Sequence, residues 1–416
     1  MIVEDTLAVG NDRDKPQDGD EIDILESINP LIKLEIACGI FRYRLEDGQL
    51  RPACKAMKIY GIFIMLILTI PYFLLTYSYT KQLPKTYLDI DAIVTVVDNL
   101  SWLVTVVLYI TSILILFLRS GKHNLQLFKV LAHVDYILKI SKNIEFFNKS
   151  RRHLQILMSV YLIAYVFCCI PDLIFVIEDI VALTFAILVI LMDVVRHVEL
   201  LMFYIFIKML IDRLEVINKY LSNFVDLKYK KSSKYSDFKV NFKINLNYIG
   251  DVSEDSDKIR CLAIAYDKIG EASSLINDLF NFQIFVSLIA TFIYVVITIW
   301  SFIHSVRTSQ ISIILAAIIA ANLGFELISI CSLTYICEAM SVKRIKTSIL
   351  VNELVMDYKL PKQMRIQAKA FMESIKVWPL KVSTYDMFSI DIAFMLKFIS
   401  VSTTYLIFHV FRNRIF

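Results

Sequence analysis

The chain has 416 residues, of which 57% are hydrophobic and 20% charged, and it carries a formal net charge of +4. Its mean hydropathy of +0.61 exceeds what one soluble core can bury, because soluble domains are only about 45–50% apolar. With nine glycines and eight prolines, the composition disfavours a β-barrel or a Gly/Pro-rich disordered chain and predicts an all-α membrane protein. The small net charge does not indicate a nucleic-acid partner.

The amino-terminal region, residues 1–58, begins with acidic residues where a signal peptide would need a basic start and an apolar run. Its carboxylates near the start are Glu4, Asp5, Asp12, Asp14, Asp18, Asp20, Glu21 and Asp23. We therefore expect this region to stay in the cytosol.

Seven mainly apolar stretches follow, each long enough to cross a bilayer, which takes about twenty residues. In chain order they are Ile59–Tyr79, Ala92–Leu118, Leu154–Ile177, Val181–Ile211, Leu279–Ile303, Gln310–Tyr335 and Ile392–Phe411. The sequence therefore predicts seven transmembrane helices.

The basic residues between the spans predict how the chain crosses the membrane. Thirty-six lysines and arginines lie in residues 1–58 and in the 119–153, 212–278 and 339–391 segments, against five in the alternate connections and the tail. Because lysine and arginine concentrate on the cytosolic side, the amino terminus is expected inside and the carboxyl terminus outside. The outer connections are short, so a ligand would have to enter the helix bundle itself.

The longer connections are predicted to contain helices below the membrane. Apolar residues recur at helical spacing through Ile259–Asn281, which runs into the fifth span, and Leu200–Leu221 continues the fourth span as an amphipathic helix. The predicted organisation is a cytosolic region 1–58, spans one to four in 59–211 with the loop 119–153, a cytosolic loop and helix 212–278, spans five and six in 279–335, a cytosolic anchor 336–391, a seventh span 392–411 and an extracellular tail 412–416.

Motifs for catalysis or cofactor binding are absent from the sequence. There is no glycine-rich phosphate loop, HExxH, CxxC or GxSxG motif. No enzyme activity, cofactor or metal site is therefore expected.

Charged residues inside a membrane are costly, so they mark candidate functional positions. The fourth span carries four polar residues toward its cytosolic half: Asp193, Arg196, His197 and Glu199. Asp193 shares one helix face with Arg196 and with His197. The group is either a polar seam that moves on gating or a neutralised structural pair packed against another helix.

A second set of polar and aromatic residues lies in the outer halves of several spans and suggests a small-molecule pocket. Its members are Asp98, Trp102, Asp172, Tyr294, Thr298, Trp300 and His304. The alternative is that the tryptophans and tyrosines anchor the helices at the membrane interface, which suits Trp300.

Three segments resemble the insect gustatory receptors, a branch of the odorant/gustatory chemoreceptor superfamily. The fourth span runs into ELLMFYIFIKMLIDRLEVIN, the fifth is entered through ASSLINDLFNFQIFVSLIATFIYVV, and the seventh ends in TTYLIFHVF. The family's closing signature is Thr-Tyr, five apolar residues and Gln-Phe. Thr404 and Tyr405 match the signature, whereas Phe411 and Arg412 replace its last two residues.

This resemblance implies a tetrameric, ligand-gated cation channel in the plasma membrane of a sensory neuron. The implied partners are a small-molecule tastant, membrane lipid, and either three identical subunits or other gustatory receptors. The seventh helices would line the pore, with the pore and gate residues Thr404, Tyr405, Phe408, Phe411 and Arg412. An inside amino terminus argues against a G-protein-coupled receptor.

The departures from the signature carry their own expectations. Phe411 would form an aromatic ring that closes the pore by dewetting. Four copies of Arg412 at the outer mouth would repel cations, so either Arg412 turns toward headgroups or other subunits dilute the ring. Sugar-sensing members have an acidic residue after Thr-Tyr, where this chain has Leu406, so a bitter or other non-sugar compound is favoured.

Two other functions remain open at this point. An odorant receptor of the same superfamily would differ by its need for a co-receptor. A polytopic transporter would show inverted repeats and Gly/Pro-broken helices, and the sequence has no visible repeat.

Overall fold

The computed structural model describes residues 20–46, 49–82, 90–118, 122–140, 143–232, 255–307, 313–358, 360–385 and 387–415. These form helices and two small hairpins: α1 Asp20–Ala37, β1 Tyr43–Glu46, β2 Gln49–Pro52, α2 Lys55–Gln82, α3 Ile90–Leu118, α4 Lys122–Ile137, α5 Ile144–Phe175, α6 Ile180–Ser232, α7 Asp255–Arg307, α8 Ile313–Met356, α9 Lys362–Val377, β3 Ser383–Thr384, β4 Phe388–Ser389 and α10 Ile392–Ile415.

Each predicted span overlaps one helix, so the all-α prediction is confirmed; the third span runs two residues past α5, and residues 310–312 of the sixth lie outside the described part of the chain. Five helices, α2, α5, α6, α7 and α8, are long and apolar enough to cross a membrane, and α3 and α10 contain the shorter apolar stretches Trp102–Phe117 and Ile392–Thr404. The residues on the outside of the bundle are apolar too, with Phe63, Ile163 and Phe167 exposed by 58%, 69% and 72%. A surface of this kind suits hydrocarbon rather than water.

Three helices are much longer than the bilayer is thick. α6 and α7 have 53 residues each, which at 1.5 Å per residue is about 80 Å, against about 30 Å of hydrocarbon; α8 has 44 residues. The predicted continuation of the fourth and fifth spans as helices is therefore observed. Beyond the spans these helices bury Leu214, Ile217, Ile269 and Ile276 in one apolar core, to which α4 and α9 also belong.

The two hairpins connect this core to the helices that follow them. β1 pairs antiparallel with β2 ahead of α2. β3 pairs antiparallel with β4 between α9 and α10, and Phe388 stacks on Phe394 with ring centroids 4.8 Å apart. Asp391 then accepts a hydrogen bond from the Phe394 backbone N–H at 2.8 Å. The start of α10 is thus fixed by the hairpin before it.

Candidate functional site: a polar column among the membrane helices

A buried ion cluster joins α6, α7 and α8 at Arg196. Its Nε donates to Asp193 Oδ1 at 2.9 Å, and its Nη1 donates to Thr291 Oγ1 and to Glu326 Oε2, both at 3.0 Å. Arg196 and Glu326 also form an ion pair through Nη2. One guanidinium therefore serves two carboxylates from two helices in a site where Arg196 is only 8% exposed.

His197 extends this cluster toward α5. Its Nε2 lies 3.1 Å from Asp193 Oδ2, and its Nδ1 lies 2.8 Å from the Tyr161 hydroxyl. That hydroxyl is 3.2 Å from Ser329 Oγ on α8. The network therefore ties four helices, α5 to α8, through hydrogen bonds that water cannot easily replace at this depth.

A separate polar contact lies closer to the α5–α6 turn. Asn322 Nδ2 donates to Asp172 Oδ2 at 2.8 Å, joining α8 to α5. On α7, Tyr294 has an electrostatic interaction with Asp172 and with Glu326, and Thr298 lies one helical turn further along the same helix. Asp172 and Tyr294 therefore belong to the same part of the bundle.

Helical spacing explains how the sequence builds this polar column between α5 and α8. Asn322, Glu326 and Ser329 recur at steps of four and three along α8, so they lie on one face. Tyr161, Tyr165 and Asp172 follow the same face of α5. The Tyr165 hydroxyl donates to the Ile190 carbonyl oxygen at 3.1 Å, which fixes α6 against that face.

The cluster has the residue types of a metal site but is organised around Arg196. Ligand atoms of Asp193, His197 and Glu326 lie within 4.8 Å of one another. The guanidinium of Arg196 stands among the same atoms and already supplies the positive charge that both carboxylates need. A divalent ion would have to displace it, so we assign these carboxylates to Arg196.

The structure separates Glu199 from the other members of the predicted seam. Glu199 pairs instead with Arg42, whose Nε donates to Glu35 Oε1 at 2.9 Å and whose guanidinium lies over the Phe280 ring at 4.9 Å. Burial raises the pKa of Glu35 to about 7, an effect that the Arg42 guanidinium opposes and the Glu199 charge reinforces. This second buried cluster holds α1 and the first hairpin to α6 and α7.

The remaining predicted pocket residues are not brought into this neighbourhood by the described contacts. Trp102 is 37% exposed on α3, and Trp300 is partly buried near the end of α7. Asp98 and His304 lie on helices, but their side chains are outside the part of the chain whose side chains are described.

The predicted gate lies on α10. Thr404 is exposed and its hydroxyl donates to the Ser400 carbonyl oxygen at 2.8 Å. Val401, one turn earlier, is 45% exposed. The side chains of the other four predicted pore residues, Tyr405, Phe408, Phe411 and Arg412, are outside the described ones.

A small cavity lies elsewhere, between the start of α2 and the end of α3. It is lined by Gly39, Phe41, Lys58, Gly61, Ile113, Leu116 and Phe117 and has a volume of about 10 Å³, which is room for one water molecule. None of the predicted pocket residues lines it.

Sequence reasoning did not connect Glu326 with Arg196, nor Tyr161 and Ser329 with His197. The available signal was the spacing of the polar residues on α5 and α8, which marks one face of each helix. Spacing identifies the polar face of each helix but does not show which helix faces pack against each other.

Comparisons with known proteins give a family and a fold. The family model for the 7tm chemosensory receptors matches residues 28–410. A solved structure of the insect olfactory receptor OR5 from Machilis hrabei aligns with a TM-score of 0.64 at 10% identity, over 93% of this chain and 98% of that one. The structure of the same receptor in complex with eugenol gives a TM-score of 0.67 at 11% identity, with the same coverage. No curated protein sequence matches the chain.

Proposed function

The chain belongs to the 7tm chemosensory receptor family, and we propose that it is a gustatory receptor: a tastant-gated, non-selective cation channel subunit for bitter or other non-sugar compounds. The observation that carries this proposal is the family match, which extends into α10 as far as residue 410 and includes Thr404 and Tyr405. This is a family of receptors and not of enzymes. The favoured location is the plasma membrane of a sensory neuron, with the amino terminus in the cytosol.

The ligand is proposed to be a small molecule that enters between the helices near Asp172 and Tyr294. The olfactory receptor of the same fold was solved in complex with eugenol, a small molecule, which supports a ligand of similar size here. Asp172, Tyr294 and Thr298 offer hydrogen-bonding groups within an apolar bundle, the composition expected of such a site.

The assembly is proposed to be a tetramer of this chain or of this chain with other gustatory receptors. Support comes from large apolar residues on α8 that a single chain leaves exposed, including Tyr335, Ile345, Ile349 and Met356 at 64%, 50%, 55% and 60%. Val342, at 53%, continues this stripe. The side chains of this stripe that lie beyond the membrane would expose apolar surface to water, which is unfavourable unless another subunit covers them.

The pore is proposed to close at Phe411, with Arg412 beside its outer mouth. Replacing Phe411 with Ala should raise the leak current, because an aromatic ring that excludes water is removed, and Arg412→Gln should raise cation conductance. Phe63→Ala is the matched control, since Phe63 lies on the outside of α2 with 58% exposure and should leave both currents unchanged. If neither Phe411→Ala nor Arg412→Gln alters the currents, α10 does not gate as proposed.

Expression of the chain alone in a cell without chemoreceptors, followed by current recording against a panel of bitter plant compounds, tests the proposed function. Ligand-evoked, non-selective cation currents are expected. Currents that appear only with an added olfactory co-receptor would favour an odorant receptor instead. A particle without fourfold symmetry and an axial pore, together with substrate uptake, would favour a transporter.

A further inference from the structure

Asp172 differs from the paired carboxylates Asp193, Glu199 and Glu326 of the bundle because no described basic side chain pairs with it. Asp193 and Glu326 share Arg196, and Glu199 pairs with Arg42. Among the described residues, Asp172 receives only the amide hydrogen bond from Asn322. An ionised carboxylate inside a membrane bundle requires a counter-ion, and no described side chain supplies one here.

The surroundings of Asp172 favour a positive charge. It lies in the last turn of α5, which contains no basic residue, and the carbonyl groups at a helix C-terminus add a partial negative charge. Glu178 and Asp179 follow directly after the helix and are exposed. Both carboxylates are exposed, so water and salt screen their charges, and the preference for a cation at this end depends on Asp172 itself.

An aromatic side chain of α7 lies in the same part of the bundle. Tyr294 of α7 is within electrostatic reach of Asp172, and its phenol ring offers both contact area and attraction for a cation. Asp172 is only partly buried, and its Oδ2 accepts from Asn322, which leaves Oδ1 without a hydrogen bond among the described residues.

We propose that Asp172 is the counter-ion for a lipophilic organic cation, a protonated amine with an aromatic or aliphatic body. This assignment rests on the proposed ligand site and names the class of ligand that it takes. The ammonium group ion-pairs with Asp172 beside the Asn322 amide, and the body packs among the apolar side chains of α5, α7 and α8.

The position of the partner amide connects this site with the ion cluster. Asn322 lies one helical turn before Glu326 on α8, and Glu326 holds Arg196. A cation that pairs with the other oxygen of Asp172 shares the carboxylate with Asn322 and so weakens the hydrogen bond that links α5 to α8 at that turn. Binding at Asp172 can therefore shift α8 against α5 next to the buried ion cluster.

The experiment compares two probes of the same shape, one charged and one neutral. N,N-dimethylphenethylamine is protonated at neutral pH, and isopentylbenzene replaces its nitrogen with carbon. Binding of each to the full-length protein in lipid nanodiscs is measured by the shift in melting temperature and by tryptophan fluorescence. The wild type should bind the amine at least about tenfold more tightly than the hydrocarbon, as expected for a partly desolvated ion pair.

Three variants assign that preference to Asp172. Asp172→Asn keeps an acceptor for Asn322 but should reduce the preference for the amine to about twofold or less, given the loss of the charge pair. Asp172→Glu should retain most of it. Glu178→Gln removes the same charge from the exposed turn nearby and should leave the preference unchanged.

Equal binding of the two probes by the wild type overturns the inference, whatever the variants do. So does a preference that survives Asp172→Asn or disappears equally in Glu178→Gln. Recordings on the same proteins separate this inference from the proposed function. Amine-selective binding without currents refutes the channel alone, and currents to neutral compounds without any amine preference refute the counter-ion alone.

Discussion

Arg196 is the point at which α6, α7 and α8 are joined within the bundle. Its guanidinium contacts Asp193, Thr291 and Glu326. A buried charge group of this kind adds little net stability compared with apolar packing, but removing one partner leaves the others uncompensated.

Replacing Arg196 with Met should therefore lower the free energy of unfolding by about 3–5 kcal/mol, because Asp193 and Glu326 lose their shared cation. Denaturant titration of the purified protein in detergent measures the change. The double variant with Glu326→Met should cost less than the sum of the two single changes.

Lys208→Met is the matched control on the same helix. Lys208 pairs with Asp212, and both side chains are more exposed, at 24% and 22%, so a loss of about 1 kcal/mol or less is expected. A similar loss for Lys208→Met and Arg196→Met would mean that burial of the cluster carries no special energetic weight.

Gly270 is the residue that lets α9 approach α7. A Cβ at this position would lie 2.2 Å from Cγ of Trp378. The indole cannot easily move away, because its Nε1 donates to Asp267 Oδ1 at 2.7 Å and the Trp378 carbonyl oxygen accepts from the Tyr266 hydroxyl at 2.8 Å.

Gly270→Ala should thus destabilise the protein by about 1–3 kcal/mol through overpacking, seen as a lower melting temperature. Gly324→Ala on α8 is the control, because nothing lies within 4 Å of a Cβ there and alanine favours the helix by about 0.5–1 kcal/mol. If both variants melt alike, the contact with Trp378 does not limit the approach of α9.

At the scale of elements, the attachment of α1 to α6 depends on two carboxylates that share Arg42. Glu35 is 2% exposed, and burial raises its pKa from 4.5 to about 7. At pH values between 4.5 and about 7, Glu35 is therefore protonated in the folded protein and ionised in the unfolded chain. Stability from this group falls as pH rises through that window.

Glu35→Gln should flatten this dependence, because glutamine can still accept from Arg42 but does not ionise. The melting temperature of the wild type should fall more between pH 5 and pH 8, roughly the span of that titration, than that of the variant. Glu373→Gln, at an exposed carboxylate on α9 paired with Lys376, should leave the wild-type profile unchanged. A wild-type dependence that survives in Glu35→Gln would assign the titration to another group.

The helices themselves could be predicted from sequence, whereas their contacts could not. Apolar length identified each span, and periodicity through Ile259–Asn281 identified the extension of α7, because both depend only on neighbouring residues. The separation of Glu199 from Asp193 and Arg196 depends on which helix meets each face of α6. Arg42 and Glu326, the partners that decide it, are more than a hundred residues away in the chain.

For the whole molecule, the main expectation is the direction in which the bundle crosses the membrane. The fold places the ends of α5 and α7 with the starts of α6 and α8 at one end of the bundle, near Asp172. The apolar core of α4, α9 and the long helix extensions lies at the other end. The segments 1–58, 119–153, 212–278 and 339–391, whose described helices reach this second end, contain thirty-six basic residues in sequence against five in the alternate set, so this end should face the cytosol.

An epitope on each terminus tests this orientation in intact and permeabilised cells. The carboxyl-terminal tag should be stained in intact cells and the amino-terminal tag only after permeabilisation, with a cytosolic marker protein verifying that the membrane was closed. The reverse pattern would turn Asp172 and its acidic neighbours toward the cytosol, where an external amine would not meet them first. It would also place the basic segments outside the cell, although lysine and arginine normally concentrate on the cytosolic side. One staining experiment therefore tests both the orientation of the bundle and the side from which a ligand can enter.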